Sequence, residues 1–424
     1  MINKLKSFKK GKFTEVPKLF SVLLDQFFMS ITTLLTSIVL ARTYDKIDYA
    51  DLILLFSISL FILGFQSSII SKPYAINLND FRNGKREGYY RFNLHFKILF
   101  TVFVIIVFPL LYYIIFDSWN VEKLFFFSLY IIAYTSYFFI RETLLSERKT
   151  KLNLVYGLGC SLSLITLLLF ILFTNHGDIN FFLGISSAIY IIATLVYLFK
   201  NLKKPILTKK DYIGHLYTNW KVGKWLLGSN FFFHLSTSIY PWLLLYITTK
   251  SDIAVFGVLI SVSSIINPVM TALSSYLLPL FVKMNLDYQK IDVMVKNWTF
   301  LFGVMALFLI VIGYFFGQTI IVLLFGKAYG DLGILVVYPF IIQAIHVLFQ
   351  PFKICLNAIK RTDVNFWVLI PRSIISLILG YILIQKYGVV GAFYTMIIES
   401  LFYQVMHFII YRNIMKLNKS LVNS

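Results

Sequence analysis

Charge is scarce in this sequence. Asp, Glu, Lys and Arg make up 14% of 424 residues, against 58% apolar, and the mean hydropathy is +0.78. A soluble globular chain carries about 25% charged residues, so a large water-facing surface cannot be covered and the chain reads as an integral membrane protein. Cysteine is scarcer still. Cys160 and Cys355 lie in or beside apolar runs, far apart and without any C-x-x-C, which argues against redox or structural-metal roles. The sequence also lacks a G-x-x-x-x-G-K-[ST] phosphate loop, an H-E-x-x-H and a G-x-S-x-G. "GLGCSL", from Gly157, begins like a dinucleotide fingerprint but lacks the third glycine and sits inside an apolar run. No catalytic residue, metal site or cofactor is therefore expected, and the chain is not expected to be an enzyme or to pump with ATP by itself.

What is present is a series of apolar runs of roughly 20 residues, each able to cross the hydrocarbon core as a helix. About twelve are expected, near 18–42, 49–71, 92–115, 122–142, 153–174, 180–200, 223–247, 253–281, 297–317, 331–352, 364–385 and 389–411. Short connections leave no room for a soluble domain. The start is basic then apolar, like a signal peptide, but "SIVLARTY" offers no A-x-A site, so the first helix reads as retained.

Acidic residues are few, 19 against 39 basic, which gives a net charge of +20. The positive charge is spread over many short loops rather than one face, so nucleic acid is not the expected partner. With the N-terminus inside, 31 of the 39 fall in the tail and alternate loops, and the opposite loops carry only Arg42, Lys46, Lys123, Lys250, Lys327 and Lys386. Cytoplasmic loops carry the excess of Lys and Arg, so both termini are expected in the cytoplasm.

The chain echoes itself. "LLDQFF" at 23–28 recurs as "LLGSNFFF" at 226–233, and "YDKIDYADLILLFSIS" at 44–59 as "ITTKSDIAVFGVLISVS" at 247–263. "LSERKTKLN" pairs with "LNAIKRTDVN", and "HGDINFF" with "YGVVGAF", all in order at offsets of about 200 to 210 residues. The reading is an all-α membrane protein of two pseudo-symmetric six-helix lobes around a central cavity. Residues 1–200 form one lobe, 201–222 a basic cytoplasmic linker that serves as hinge, and 223–424 the other. An even number of spans per half leaves both halves in the same orientation, as in some transporters.

Polar residues fall on particular helix faces. In the first span, Asp25, Gln26, Met29, Ser30, Thr32, Thr33, Thr36 and Ser37 form a stripe opposite Leu23, Phe27, Ile31 and Leu34. Asn230, His234, Thr237 and Pro241 line the seventh; Ser261, Ser264, Asn267, Thr271 and Ser274 the eighth; Gln343, His346 and Gln350 the tenth. Lone hydroxyls and imidazoles in such helices usually serve packing. A carboxylate near mid-membrane costs about 2.5 to 3.5 kcal/mol on insertion scales, so Asp25 points to function. Arg372 and Glu399 lie at neighbouring depths and could form a structural pair; Lys97 and Arg141 lie near cytoplasmic span ends, where such side chains can simply snorkel, which leaves a functional role open. The "GYFFG" of Gly313 and Gly317 reads as a close-packing contact.

With "LLDQFF", "DYADL"/"AVFG", "NPVMTALSSYLLPLF", "FGKAYGDLGILV" and "KYGVVGAF" in this order, the chain resembles the Wzx-type polysaccharide flippases of the multidrug/oligosaccharidyl-lipid/polysaccharide exporter superfamily over nearly its whole length. It departs at Ala50, where relatives often have glycine. The resemblance implies a bacterial cytoplasmic (inner) membrane protein. By alternating access it would move an undecaprenyl-pyrophosphate-linked oligosaccharide to the outer leaflet for O-antigen or capsule assembly, among membrane lipids and beside a polysaccharide polymerase and a chain-length regulator. Arg141, Arg372 and Lys97 are then candidates for the pyrophosphate. Gln26, Ser30, Thr33, Asn230, His234, Asn267, Gln343, His346 and Gln350 are candidates for the sugars or the cavity wall, and Asp25 and Glu399 for a coupling H+ or Na+. Three other readings stay open. They are a multidrug antiporter of the same superfamily, a membrane polysaccharide polymerase or glycosyltransferase, and a flippase for the peptidoglycan precursor.

Overall fold

A computed structural model describes residues 2–81, 85–116, 119–174, 177–201, 207–284, 287–361 and 363–423, without the side chains of 2–19, 116, 201, 275 and 419–423. Among these residues every regular element is helical. The first group is α1 (Ile2–Thr43), α2 (Lys46–Gln66), a π-helical turn (Ser67–Ser71), α3 (Lys72–Asn77), α4 (Lys85–Phe116), α5 (Val121–Ser146), α6 (Thr150–Thr174) and α7 (Ile179–Asn201). Then come α8 (Lys209–Thr237), α9 (Tyr240–Ile247), α10 (Lys250–Ser263), α11 (Asn267–Val282), α12 (Tyr288–Phe325), α13 (Tyr338–Ala358), α14 (Asp363–Tyr387) and α15 (Val389–Asn423).

Among the described residues eleven stretches are long and apolar enough to cross a membrane, and they match eleven of the expected spans. The seventh differs in being broken. α8 ends at Thr237, α9 begins at Tyr240, and Pro241 sits in the first turn of α9, where its missing N–H is harmless. A proline does the same in the eighth span, where Ser264–Ile266 forms a 3-10 turn and Pro268 opens α11. The second span is interrupted by the π turn before Pro73. Elsewhere the starts are set by local caps. Asn120 accepts from the Lys123 N–H (2.9 Å), Asp287 from that of Lys290 (3.1 Å), and Thr249 forms a capping box with Asp252.

The chain forms two compact units, one of residues 1–39 and 55–231, the other of 40–54 and 232–424. In the first, Ile70, Leu94, Phe139, Ile140, Leu144 and Tyr197 form a buried cluster. In the second, Leu277, Phe281, Val295, Phe302, Val347 and Phe352 do so. Many large apolar side chains are instead exposed, among them Phe103, Ile106, Phe173, Phe199, Phe300 and Phe308. Such a surface suits lipid, where helices associate by close packing rather than by expulsion of water. The glycines of "GYFFG" show this: a Cβ on Gly313 would stand 2.6 Å from Phe340, and one on Gly317 would stand 3.0 Å from Val336.

Within the basic segment 201–222, residues 202–206 lie outside the described residues. From Lys209 the segment is helical and runs into the seventh span. Asn219 fastens it to the first unit, donating to Asn93 Oδ1 (2.8 Å) and accepting from the Tyr89 hydroxyl (2.6 Å).

Candidate functional site

In the first unit the polar stripe of α1 divides. Successive residues turn by about 100°, so Asp25, Thr32 and Thr36 lie along one line, with Gln26, Ser30 and Thr33 about a quarter-turn or more away. Asp25 and Thr32 are buried, Gln26 and Ser30 half-buried, and Thr33 exposed. The threonine hydroxyls of residues 32, 33 and 36 donate to the carbonyls four residues earlier, which is local satisfaction in a helix.

Asp25 is different. Only 1% exposed, it accepts from Arg141 Nη2 of α5 at 2.5 Å and from Asn153 Nδ2 of α6 at 2.8 Å. Arg141, 2% exposed, also donates to the Tyr137 hydroxyl (2.8 Å). The acid expected for an ion and the guanidinium expected for a phosphate are thus one ion pair. Gly157 of "GLGCSL" makes room for it, since a Cβ there would fall 2.2 Å from Asp25 Oδ1 and 2.9 Å from Arg141 Nη1. Tyrosines gather around the pair: Tyr137 stacks on Tyr156 (5.2 Å between centroids), Tyr190 lies 4.8 Å from Tyr137, and Tyr130 stacks on Tyr134 (5.6 Å).

A second polar group lies in the same unit. Lys97 of α4, 4% exposed, donates to Thr135 Oγ1 (2.9 Å), and Gln66 Nε2 donates to the Thr135 carbonyl (3.0 Å). Ser67, first residue of the π turn, donates to Glu142 Oε1 (2.7 Å), while Glu142 Oε2 is buried without a hydrogen-bond partner. Asn230, also in this unit, is half-buried with its amide nitrogen unpartnered.

In the second unit Arg372 of α14 and Glu399 of α15 form a two-pronged pair, Nε to Oε2 at 2.7 Å and Nη2 to Oε1 at 2.9 Å. Both are buried, and Ser376 adds a bond to Glu399 Oε2 (2.7 Å). The Arg372 guanidinium also stands 4.7 Å from the ring centre of Tyr403. His346 contacts Ser400 Oγ (3.2 Å) through Nε2 and Gln404 Nε2 (3.0 Å) through Nδ1, and Gln350 donates to Ser274 (2.9 Å). Gln343 is half-buried, His234 contacts Ser238 through Nδ1 (3.0 Å), and Asn267 is exposed at the start of α11.

Several members of these centres escaped the sequence reading. Asn153 and Glu142 border the basic loop at 145–153, where nothing sets them apart from its other polar residues. Gly157 was visible only as part of a failed nucleotide motif, although a glycine in a membrane helix is itself a sign of close approach. The tyrosines at 130, 134 and 137 follow helical spacing and could have been recognised as one aromatic face.

Neither a protein-family model nor a curated protein matches the sequence. Solved structures do. An inward-facing multidrug resistance MATE family transporter of the MOP superfamily aligns with a TM-score of 0.74 at 12% identity, over 94% of this chain and 99% of its own. The lipid II flippase MurJ, in an inward closed conformation, aligns at 0.68 and 15% identity, over 93% of this chain and 87% of its own. A MATE protein in a bent conformation gives 0.61 and 13%, over 95% and 96% of the two chains.

Proposed function

We propose that this chain, whose fold is that of MOP superfamily transporters, carries an undecaprenyl-pyrophosphate-linked oligosaccharide across a bacterial cytoplasmic membrane for surface polysaccharide assembly. The observation that carries the reading is the buried Asp25–Arg141 pair. Guanidinium is the side chain best shaped for bidentate phosphate binding, and here a carboxylate already occupies it. Phosphate and Asp25 therefore compete for one cation. Neutralising Asp25 with H+ or Na+ frees Arg141 for the anion, and anion binding in turn favours neutralisation, because linkage is reciprocal. That is ion-coupled capture of an anionic cargo. Glu399 and Arg372 repeat the arrangement in the second unit, and Lys97 offers a further cation in the first. The tyrosines near Arg141 supply ring faces and hydroxyls suited to sugars. A polymerase and a chain-length regulator would receive the product.

A cation-exporting antiporter needs an acid free to meet its cargo, and both Asp25 and Glu399 are held by arginines. Glu142, with one oxygen unpartnered, is the residue such an exporter would use. The test is rescue of glycan display in a flippase-null strain, alongside drug-resistance assays. The wild-type chain should restore glycan and confer no resistance; resistance without glycan sinks the cargo assignment. Asp25→Asn should lose most of the dependence on the ion gradient. A wild-type rate with unchanged ion dependence would remove Asp25 from the mechanism.

A further inference from the structure

Loops opposite the cytoplasmic side are normally poor in Lys and Arg, and here they hold six. Three of those six, Arg42, Lys46 and Lys327, line a single cleft of about 500 Å³ in the second unit, where α1 passes into α2 beside the end of α12. One of the others, Lys250, is held by Asp51 at 2.8 Å.

The cleft is built by its backbone. Gly326 closes α12 at φ +91°, a conformation an L side chain rarely adopts, and leads into the 3-10 turn Lys327–Tyr329. Arg42 donates to the Leu323 carbonyl (2.8 Å), and its Cγ would lie 3.9 Å from a Cβ on Gly326. The Lys46 ammonium is 5.4 Å from the ring centre of Tyr329. Tyr329 is 1% exposed and its hydroxyl has no hydrogen-bond partner. Burial, and then the Asp45 carboxylate, push that hydroxyl up to about 12, so at neutral pH it keeps its proton and remains a donor. The acid of the cleft, Asp45, already accepts from the Asp48 N–H (2.7 Å) at the start of α2. Three cations and an unused donor against one committed carboxylate leave room for a doubly negative ligand rather than a single charge.

We propose that this cleft binds a diphosphate group, and that its occupant is the diphosphate of an isoprenoid lipid on the side opposite the basic loops. The naming of that lipid rests on the proposed function; the charge complement of the cleft does not. On this reading the cleft holds the cargo's headgroup at the membrane surface after crossing.

The full chain is placed in nanodiscs of zwitterionic lipid and titrated with farnesyl diphosphate and inorganic pyrophosphate. Wild type should bind both, more weakly as salt rises. Arg42→Gln with Lys327→Gln should weaken binding by about tenfold or more, the loss of one or two charge-assisted hydrogen bonds. Tyr329→Phe should weaken it less, and Lys327→Arg should retain it. Lys327→Gln alone gives the same reading if the double variant does not stay monodisperse. Binding by the double variant equal to wild type overturns the proposal. So does failure of both diphosphates to bind when phosphatidylglycerol, introduced into a parallel set of discs, does bind, which would mark an ordinary lipid contact. Failed glycan rescue by the wild-type chain would sink the cargo assignment while leaving the binding result standing; intact rescue with unaltered binding in the variants would sink the cleft alone.

Discussion

At the scale of single residues, Gly157 shows how a missing side chain can govern a charge pair. A Cβ at this position would overlap Asp25 Oδ1 and press on Arg141, and overpacking of this kind costs about 1–3 kcal/mol. Removing Asp25 costs more, about 3–5 kcal/mol, because it strands a buried guanidinium. The two effects should not add. In an Asp25→Ala background the oxygen that meets the new methyl is gone, so the cost of Gly157→Ala should fall by about 1 kcal/mol or more. Unfolding of the two single variants and the double variant in detergent measures this. Strict additivity would mean that Gly157 does not seat the pair. The charges 25, 372 and 399 stood out by their depth in apolar runs, whereas Arg141, near a span end and so able to snorkel, is instead buried. Neighbouring depth also suggested the Arg372–Glu399 pair, but nothing suggested that of Asp25 with Arg141, which stand 116 positions apart.

At the scale of elements, apolar length alone located the spans, while their interruptions follow from chemistry that length does not register. Pro241 and Pro268 break the seventh and eighth spans at their missing N–H groups. The π turn at Ser67–Ser71 has no periodicity of its own to announce it, yet it brings Ser67 to Glu142; such turns recur at functional sites. α12 and α13 depend on the absent side chain of Gly313. Gly313→Leu should lower stability by about 1–3 kcal/mol, and Phe340→Ala should recover part of it by vacating the space. Thermal unfolding of the pair checks this, and no recovery would place the strain elsewhere.

At the scale of the whole molecule, the distribution of Lys and Arg predicts that both ends lie in the cytoplasm. Cysteine labelling tests the arrangement directly. Cys160 and Cys355 are buried, so the native chain should react little with an impermeant maleimide. Lys149→Cys should label only from the cytoplasmic side and Lys386→Cys only from the other, both positions being exposed. Labelling of both from one side would overturn the assigned orientation. The internal echoes divide the sequence near its middle, but the packed units exchange segments: residues 40–54 belong with the second half, where Asp51 meets Lys250 and Ile53 fills the space above Gly257. Two stretches that echo each other in sequence are therefore joined in one unit.

The sequence by itself determined that the chain is helical and apolar and where most of its membrane-length runs lie, because each depends on composition summed along a short run. Only the tertiary structure decided that Asp25 holds Arg141 and that Arg42, Lys46 and Lys327 share a cleft. Those choices depend on how each helix is rotated about its axis and which distant helix it meets, and one residue's shift in register turns a side chain by about 100°.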